Sequence, residues 1–261
     1  HMGHEGFGEL RVEAGASVHS REVFLGFDEA ARGEAIITGA DARWSVNQTF
    51  TIAESGSASV TMSDGAFVRG SGDVFIGRRN GSVGAATVAG SGTFWDIFGK
   101  IHVGSIGNGT LVVAAGSRVR NLDATIGNGK VEVSGAGTEW NARSITLSER
   151  ASGELVIRDG GVVTGEFANL AGGEALIEGN GSRWDTSMGM QVGAGAVESS
   201  SLVIRDGGTA TAANVRISGF GGIEVRGSGS SLISEGELFV GYLGSNSLIA
   251  ADGAFIKSSN A

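Results

Sequence analysis

Cysteine and proline are both absent from this chain, tyrosine occurs once, and only Lys100, Lys130 and Lys257 stand for lysine among 19 basic residues. Without cysteine there is no disulfide framework, thiolate metal site, iron–sulfur cluster or thiol nucleophile. Without proline nothing deletes a ladder hydrogen bond, which suits strands paired on both sides. No stretch approaches the roughly 18 apolar residues of a membrane-spanning helix, so no direct membrane insertion of this segment is expected. The 19 basic and 28 acidic residues leave a net charge of −9 spread along the chain. A nucleic-acid surface needs clustered Lys/Arg, so nucleic acid is excluded as a partner.

Glycine, by contrast, fills 47 of 261 positions, more than twice the ordinary share of roughly 7%. It follows no Gly-X-Y register, which excludes collagen, and 41% hydrophobic residues is too apolar for a disordered linker. His1 and Met2 read as a cloning remnant. Residues 1–7 are taken as remnant and lead-in, and 8–261 as one repeat domain.

Self-comparison is decisive. Leu155-Val156-Ile157-Arg158-Asp159-Gly160-Gly161 recurs unchanged as Leu202-Val203-Ile204-Arg205-Asp206-Gly207-Gly208. Its apolar-x-apolar-x-x-Gly core occurs six times, closing on Gly15, Gly65, Gly116, Gly160, Gly207 and Gly253. Between these copies lies apolar-x-Gly-x-Gly-x-x-Trp, five times, ending on Trp44, Trp95, Trp140, Trp184 and Leu232, with Asp41 replacing one glycine. An apolar residue followed by a small one, as in Leu25-Gly26, Ile76-Gly77 and Val240-Gly241, marks a unit of 21–27 residues in two alternating flavours. Short apolar/polar alternations separated by Gly, Asn, Asp and Ser predict strands and turns. Strands this short bury a core only by stacking winding on winding. The expected fold is all-β: a single-domain parallel β-solenoid, a right-handed β-helix of about ten to eleven turns and roughly 50 Å length at the usual strand spacing.

The bend glycines are expected to supply positive φ or a close backbone approach. Asp64, Asp159, Asp206 and Asp252, just before four of them, are expected to accept backbone N–H groups in Asx-type turns. The tryptophan column reads either as an outer sugar-stacking platform or as an inner core column. Leu232 as its fifth member favours the core.

The Gly-x-Gly-x-x-Trp, apolar-Gly and Leu-x-Ile-x-Asp-Gly-Gly patterns together resemble passenger domains of type V secretion autotransporters, over nearly the whole chain from Gly8 to Ala261. The resemblance implies a bacterial cell-surface or secreted protein, exported through a C-terminal β-barrel that is absent here. With the sequence stopping inside a repeat at Phe255-Ile256-Lys257, it implies a fragment of a longer passenger. It also implies a virulence role as an adhesin or host-receptor ligand, with self-association as the alternative. The implied partners are a host cell-surface protein or glycan, or a second copy.

Catalytic motifs are missing: there is no Gly-x-Ser-x-Gly, P-loop, Gly-x-Gly-x-x-Gly or His-Glu-x-x-His. No catalytic, cofactor or metal residue is assigned. His19 and His102, about 83 positions apart, are each expected to be satisfied or solvated. A β-helix lyase or hydrolase would need paired carboxylates. The candidates are Asp96 and Asp185, after the tryptophan column, and Glu139 beside it. Ser45, Asn141 and Ile233 at equivalent positions read as drift on a solvated face, so the chain is not expected to be an enzyme. Binding is assigned to the rod face and to the irregular stretches Phe27–Gly33, Gly77–Gly84 and Gly193–Ser199. Arg78 and Arg79 are the candidate partner contacts, against a reading as a solvated pair.

Overall fold

The computed structural model describes residues 1–147, 153–195, 198–241 and 244–260. Among these residues there is no helix, and 27 strands form two sheets paired in parallel throughout. The first sheet has 11 strands, from Phe7–Val12 to Ser247–Ala251, one per winding. At about 4.8 Å per strand it is about 48 Å long. The second sheet has 16 strands because the chain crosses it in two runs on either side of a corner. Some windings break there, as at Arg43–Val46 and Phe50–Ile52; others pass through as one bent strand, as at Glu139–Leu147. The protein is a parallel β-solenoid.

Register turns the repeated sequence positions into columns. In the first sheet Val12 lies under Ile37, and the column continues through Met62, Val88, Val113 and Val133. The two sequence patterns therefore begin in the same strand, read in alternate windings. Leu111 lies over Val131, and Leu155 over Ala175, each 20 residues apart, one fewer than the shortest expected interval. The apolar member of the apolar-small pairs forms a second column, Leu25, Ile52, Ile76, Val103, Ile126 and Leu147, beyond the corner. Ser148 of the last such pair lies outside the described residues.

The tryptophan column explains the two flavours. Trp44, Trp95, Trp140 and Trp184 alternate with Val68, Val119 and Val163, so indoles recur every second winding. Both kinds are completely enclosed, as is Leu232. Phe50 fills space between the first two indoles, its ring centroid 4.9 Å from Trp44 and 6.1 Å from Trp95. Large and small residues in alternate layers suit a core of constant cross-section.

The six bend glycines have φ between 76° and 88°. A Cβ at Gly65 would meet nothing closer than 3.6 Å, so conformation rather than crowding calls for glycine there. Elsewhere crowding decides: a Cβ on Gly104 would lie 2.1 Å from the Asn128 carbonyl of the next winding. The aspartates before the bends depart from expectation. Asp64, Asp159, Asp206 and Asp252 themselves adopt left-handed φ of 54–56°, one of the few conformations a short polar side chain tolerates there. Their carboxylates turn outward to side chains instead of forming Asx turns. Asp64 accepts the Thr38 and Ser63 hydroxyls, and Asp159 and Asp206 face Arg158 and Arg205 at 3.6 Å.

Buried hydroxyls tie the alternate bends together. Thr93 and Thr138 accept the bend N–H of Gly65 and Gly116 from the preceding winding, at 3.1 and 2.9 Å. Ser182 and Ser230 do the same for Gly160 and Gly207.

Candidate binding groove

The indoles present nothing to a ligand. All four are sealed inside, where Trp140 Nε1 donates to Asn121 Oδ1 at 2.8 Å and Trp44 Nε1 to Ser20 Oγ at 3.0 Å. The Trp95 Nε1 has no partner. Arg78 and Arg79 are engaged too. Glu54, one winding earlier and only 4% exposed in its side chain, takes Arg78 Nη1 at 3.0 Å and Arg79 Nε at 2.6 Å. The Arg78 guanidinium also lies 4.5 Å from the Phe75 ring centroid. The pair is the counter-charge of a buried carboxylate, which neither the partner-contact nor the solvated reading anticipated. Of the other irregular stretches, Phe27 packs its ring 5.7 Å from Phe24, while Ala196 and Val197 of the third lie outside the described residues.

A surface with relief lies instead on the outside of the second sheet, along its corner. Two open concavities of about 540 and 570 Å³ follow one another along the rod and share Thr164 and Gly165; a third, of about 510 Å³, lies beside the second across the corner, on the same windings. The floor of the first two is the outward column next to the tryptophans: Arg120, Asn141, Thr164, Asp185 and Thr211 in successive windings. Asp96 stands one step earlier, 6% exposed and held by Arg120 at 2.7–2.8 Å. Its position is built, whereas Asn141 in the same column is exposed and Ser45 and Ile233 are half-buried. Asn141 Nδ2 donates to Thr164 Oγ1 at 2.8 Å. Arg143, on the corner, grips Asp123 through both nitrogens at 2.8–3.1 Å. The Asp123 hydrogen bond and charge, with a smaller contribution from Glu166, hold the Arg143 guanidinium above its ordinary pKa.

Apolar side chains stand exposed along the corner. Phe98 and Leu122 line the first concavity, and Phe167 and Met188, on the windings of Thr164 and Asp185, line the one across the corner, all 44–54% exposed. Arg69 lies over the Phe98 ring at 4.6 Å. Thr164, Phe98 and Phe167 recur in no motif, and Asn141 reads in the sequence only as one of the residues after the tryptophan column.

The carboxylates considered for hydrolysis are not brought together. Asp96 and Asp185 sit four ladder steps apart, about 19 Å at the usual strand spacing, joined through Arg120, Asn141 and Thr164. Each is bonded to an arginine, Asp185 to Arg183 at 3.0 Å, and Glu139 faces Arg118 at 3.7 Å. His102 stacks flat on Phe75 at 4.7 Å between centroids. Burial lowers its pKa; Asp73 opposes this, and Lys100 and Arg78 add to it. His4, Glu5 and Asp28 bring possible ligand atoms within 4.8 Å of one another near the N-terminus, where all three are partly or fully exposed.

No family model and no curated protein matches this sequence. Among solved structures, the chain is similar to the crystal structure of a TibC-catalysed, hyper-glycosylated fragment of TibA. The TM-score is 0.42 at 19% identity, covering 96% of this chain and 92% of that one.

Proposed function

We propose that this chain is the shaft of a bacterial autotransporter passenger, displayed on the cell surface or released, that acts by binding a host surface protein or glycan and not by catalysis. The Gly-x-Gly-x-x-Trp and Asp-Gly-Gly repeats support the passenger reading, and their stacking into a solenoid is the shape it requires. The observation that carries the binding role is the corner groove, where polar side chains of successive windings line one floor and exposed apolar side chains stand along the corner beside it. A repeated floor lets modest contacts add up along the rod. The test is binding of fluorescently labelled protein to cultured host cells. Saturable binding that unlabelled protein displaces is expected; its absence across several cell types would sink the reading.

A second reading, self-association, rests on a different face. Where the first sheet passes through its third to fifth strands, its outward residues carry no charge: Ser59 and Thr61, Ala85 and Thr87, Thr110 and Val112. Such a face lacks the charges that keep sheet surfaces apart. Sedimentation over a concentration series separates the two readings, since dimers that disappear in Thr87→Lys would favour this one.

A further inference from the structure

We propose that the corner groove holds a neutral oligosaccharide lying parallel to the rod axis. The inference rests on the binding role above and names its ligand class.

The groove runs along the stacking direction, so its floor repeats once per strand, about every 4.8 Å. That step is comparable to the length a pyranose occupies in an extended glycan, so successive sugar rings meet successive windings. The five floor residues from Arg120 to Thr211 therefore set a site for about four to six sugars. Beyond them the floor ends: Ile233 follows Thr211, and the register breaks between Ser234 and Glu237.

The chemistry along this floor suits hydroxyl groups. Asn141, Thr164, Asp185 and Thr211 offer amide, hydroxyl and carboxylate atoms, a mixture of donors and acceptors that a ring of alcohols satisfies from either side. Leu122, exposed and lining the first concavity, supplies an apolar surface for the C–H side of a sugar ring.

Charge selects a neutral chain over an acidic one. Of the arginines lining the groove, Arg120 is held by Asp96 and Arg143 by Asp123, while Arg216, across the corner, lies over the Phe239 ring at 5.7 Å. Glu166 and Glu235 line the groove and Glu237 the concavity beside it. A sulfated or uronic acid polymer would have to displace bonded carboxylates and run past these three; a neutral one meets neither cost.

The experiment is calorimetric titration of the purified protein with cellohexaose, mannohexaose and chitohexaose, beside a heparin hexasaccharide and a hexagalacturonate, each at low and high salt. At least one neutral hexasaccharide is expected to bind with little salt dependence and to weaken by about tenfold or more in Leu122→Ala or Asn141→Ala. Glu174→Ala, exposed on the first sheet, is expected to leave binding unchanged, and circular dichroism checks that every variant folds. Binding confined to the acidic chains, or neutral binding indifferent to both groove variants, overturns the proposal. If no hexasaccharide binds while labelled protein still binds cells, the glycan inference falls and the binding role stands. If neither occurs, both fall.

Discussion

Thr138 Oγ1 sits between two windings, accepting the Gly116 N–H at 2.9 Å while donating to the Ser134 carbonyl of its own bend, also at 2.9 Å. The side chain is wholly buried, so no water replaces either bond. Thr138→Val keeps the shape and removes both, at an expected cost of about 1–3 kcal/mol, whereas Thr138→Ser stays close to the parent. Urea unfolding of the two variants measures the difference; equal midpoints would show that the bond contributes nothing.

The four indoles are equally buried but not equally bonded. Trp140→Ala is expected to cost about 3–5 kcal/mol through the cavity it leaves. Replacement by phenylalanine separates packing from hydrogen bonding. Trp140→Phe strands the Oδ1 of Asn121, itself only 4% exposed, whereas Trp95→Phe removes an N–H that has no partner. The Trp140 variant should be the less stable by about 1–2 kcal/mol in thermal or urea unfolding.

Glu54 receives two arginines, so neither is indispensable alone. Arg78→Ala and Arg79→Ala are each expected to cost under about 1 kcal/mol because both guanidinium groups reach solvent. Together they leave a buried carboxylate unpaired, and the loss should exceed the sum of the singles by about 1–2 kcal/mol. A double-mutant cycle reads this directly, and simple additivity would contradict it.

His102 gives the fold an acid sensitivity. Burial lowers its pKa below the ordinary 6.5, so the unfolded chain takes up this proton at a higher pH than the folded one does. Its contribution to stability is complete above about pH 6.5 and is lost as pH falls toward the folded value. His102→Phe removes the titrating group and keeps a ring against Phe75. Unfolding free energies measured from about pH 7.5 to about pH 5 should fall less steeply in this variant than in the parent; identical slopes would rule the histidine out.

The winding was legible in the sequence because equivalent residues must repeat when strands stack in register, as Leu155 to Gly161 and Leu202 to Gly208 do. The bend glycines were legible for the same reason, since a left-handed φ admits few residue types. The hydroxyl at Thr93, Thr138, Ser182 and Ser230 was equally periodic, but it lay inside the Gly-x-Gly-x-x-Trp pattern as an unremarked position. The valines facing the indoles were harder to see, because Val68, Val119 and Val163 occupy the tryptophan column without its motif. What could not be read were pairings that cross windings of unequal length. Nothing near Arg78 in the chain points to Glu54, 24 residues earlier. The groove is hidden in the same way, since its residues meet only after the chain has gone around.

Alternation of indole and valine layers makes two windings, not one, the smallest piece that can be added or removed without changing what the neighbours meet. Cutting out the single winding that carries Val119 would set Trp95 directly against Trp140, two bulky rings in a gap shaped for one. Cutting out that winding together with the next restores the order, with Val163 following Trp95. Rods of this type are therefore expected to lengthen and shorten in doublets.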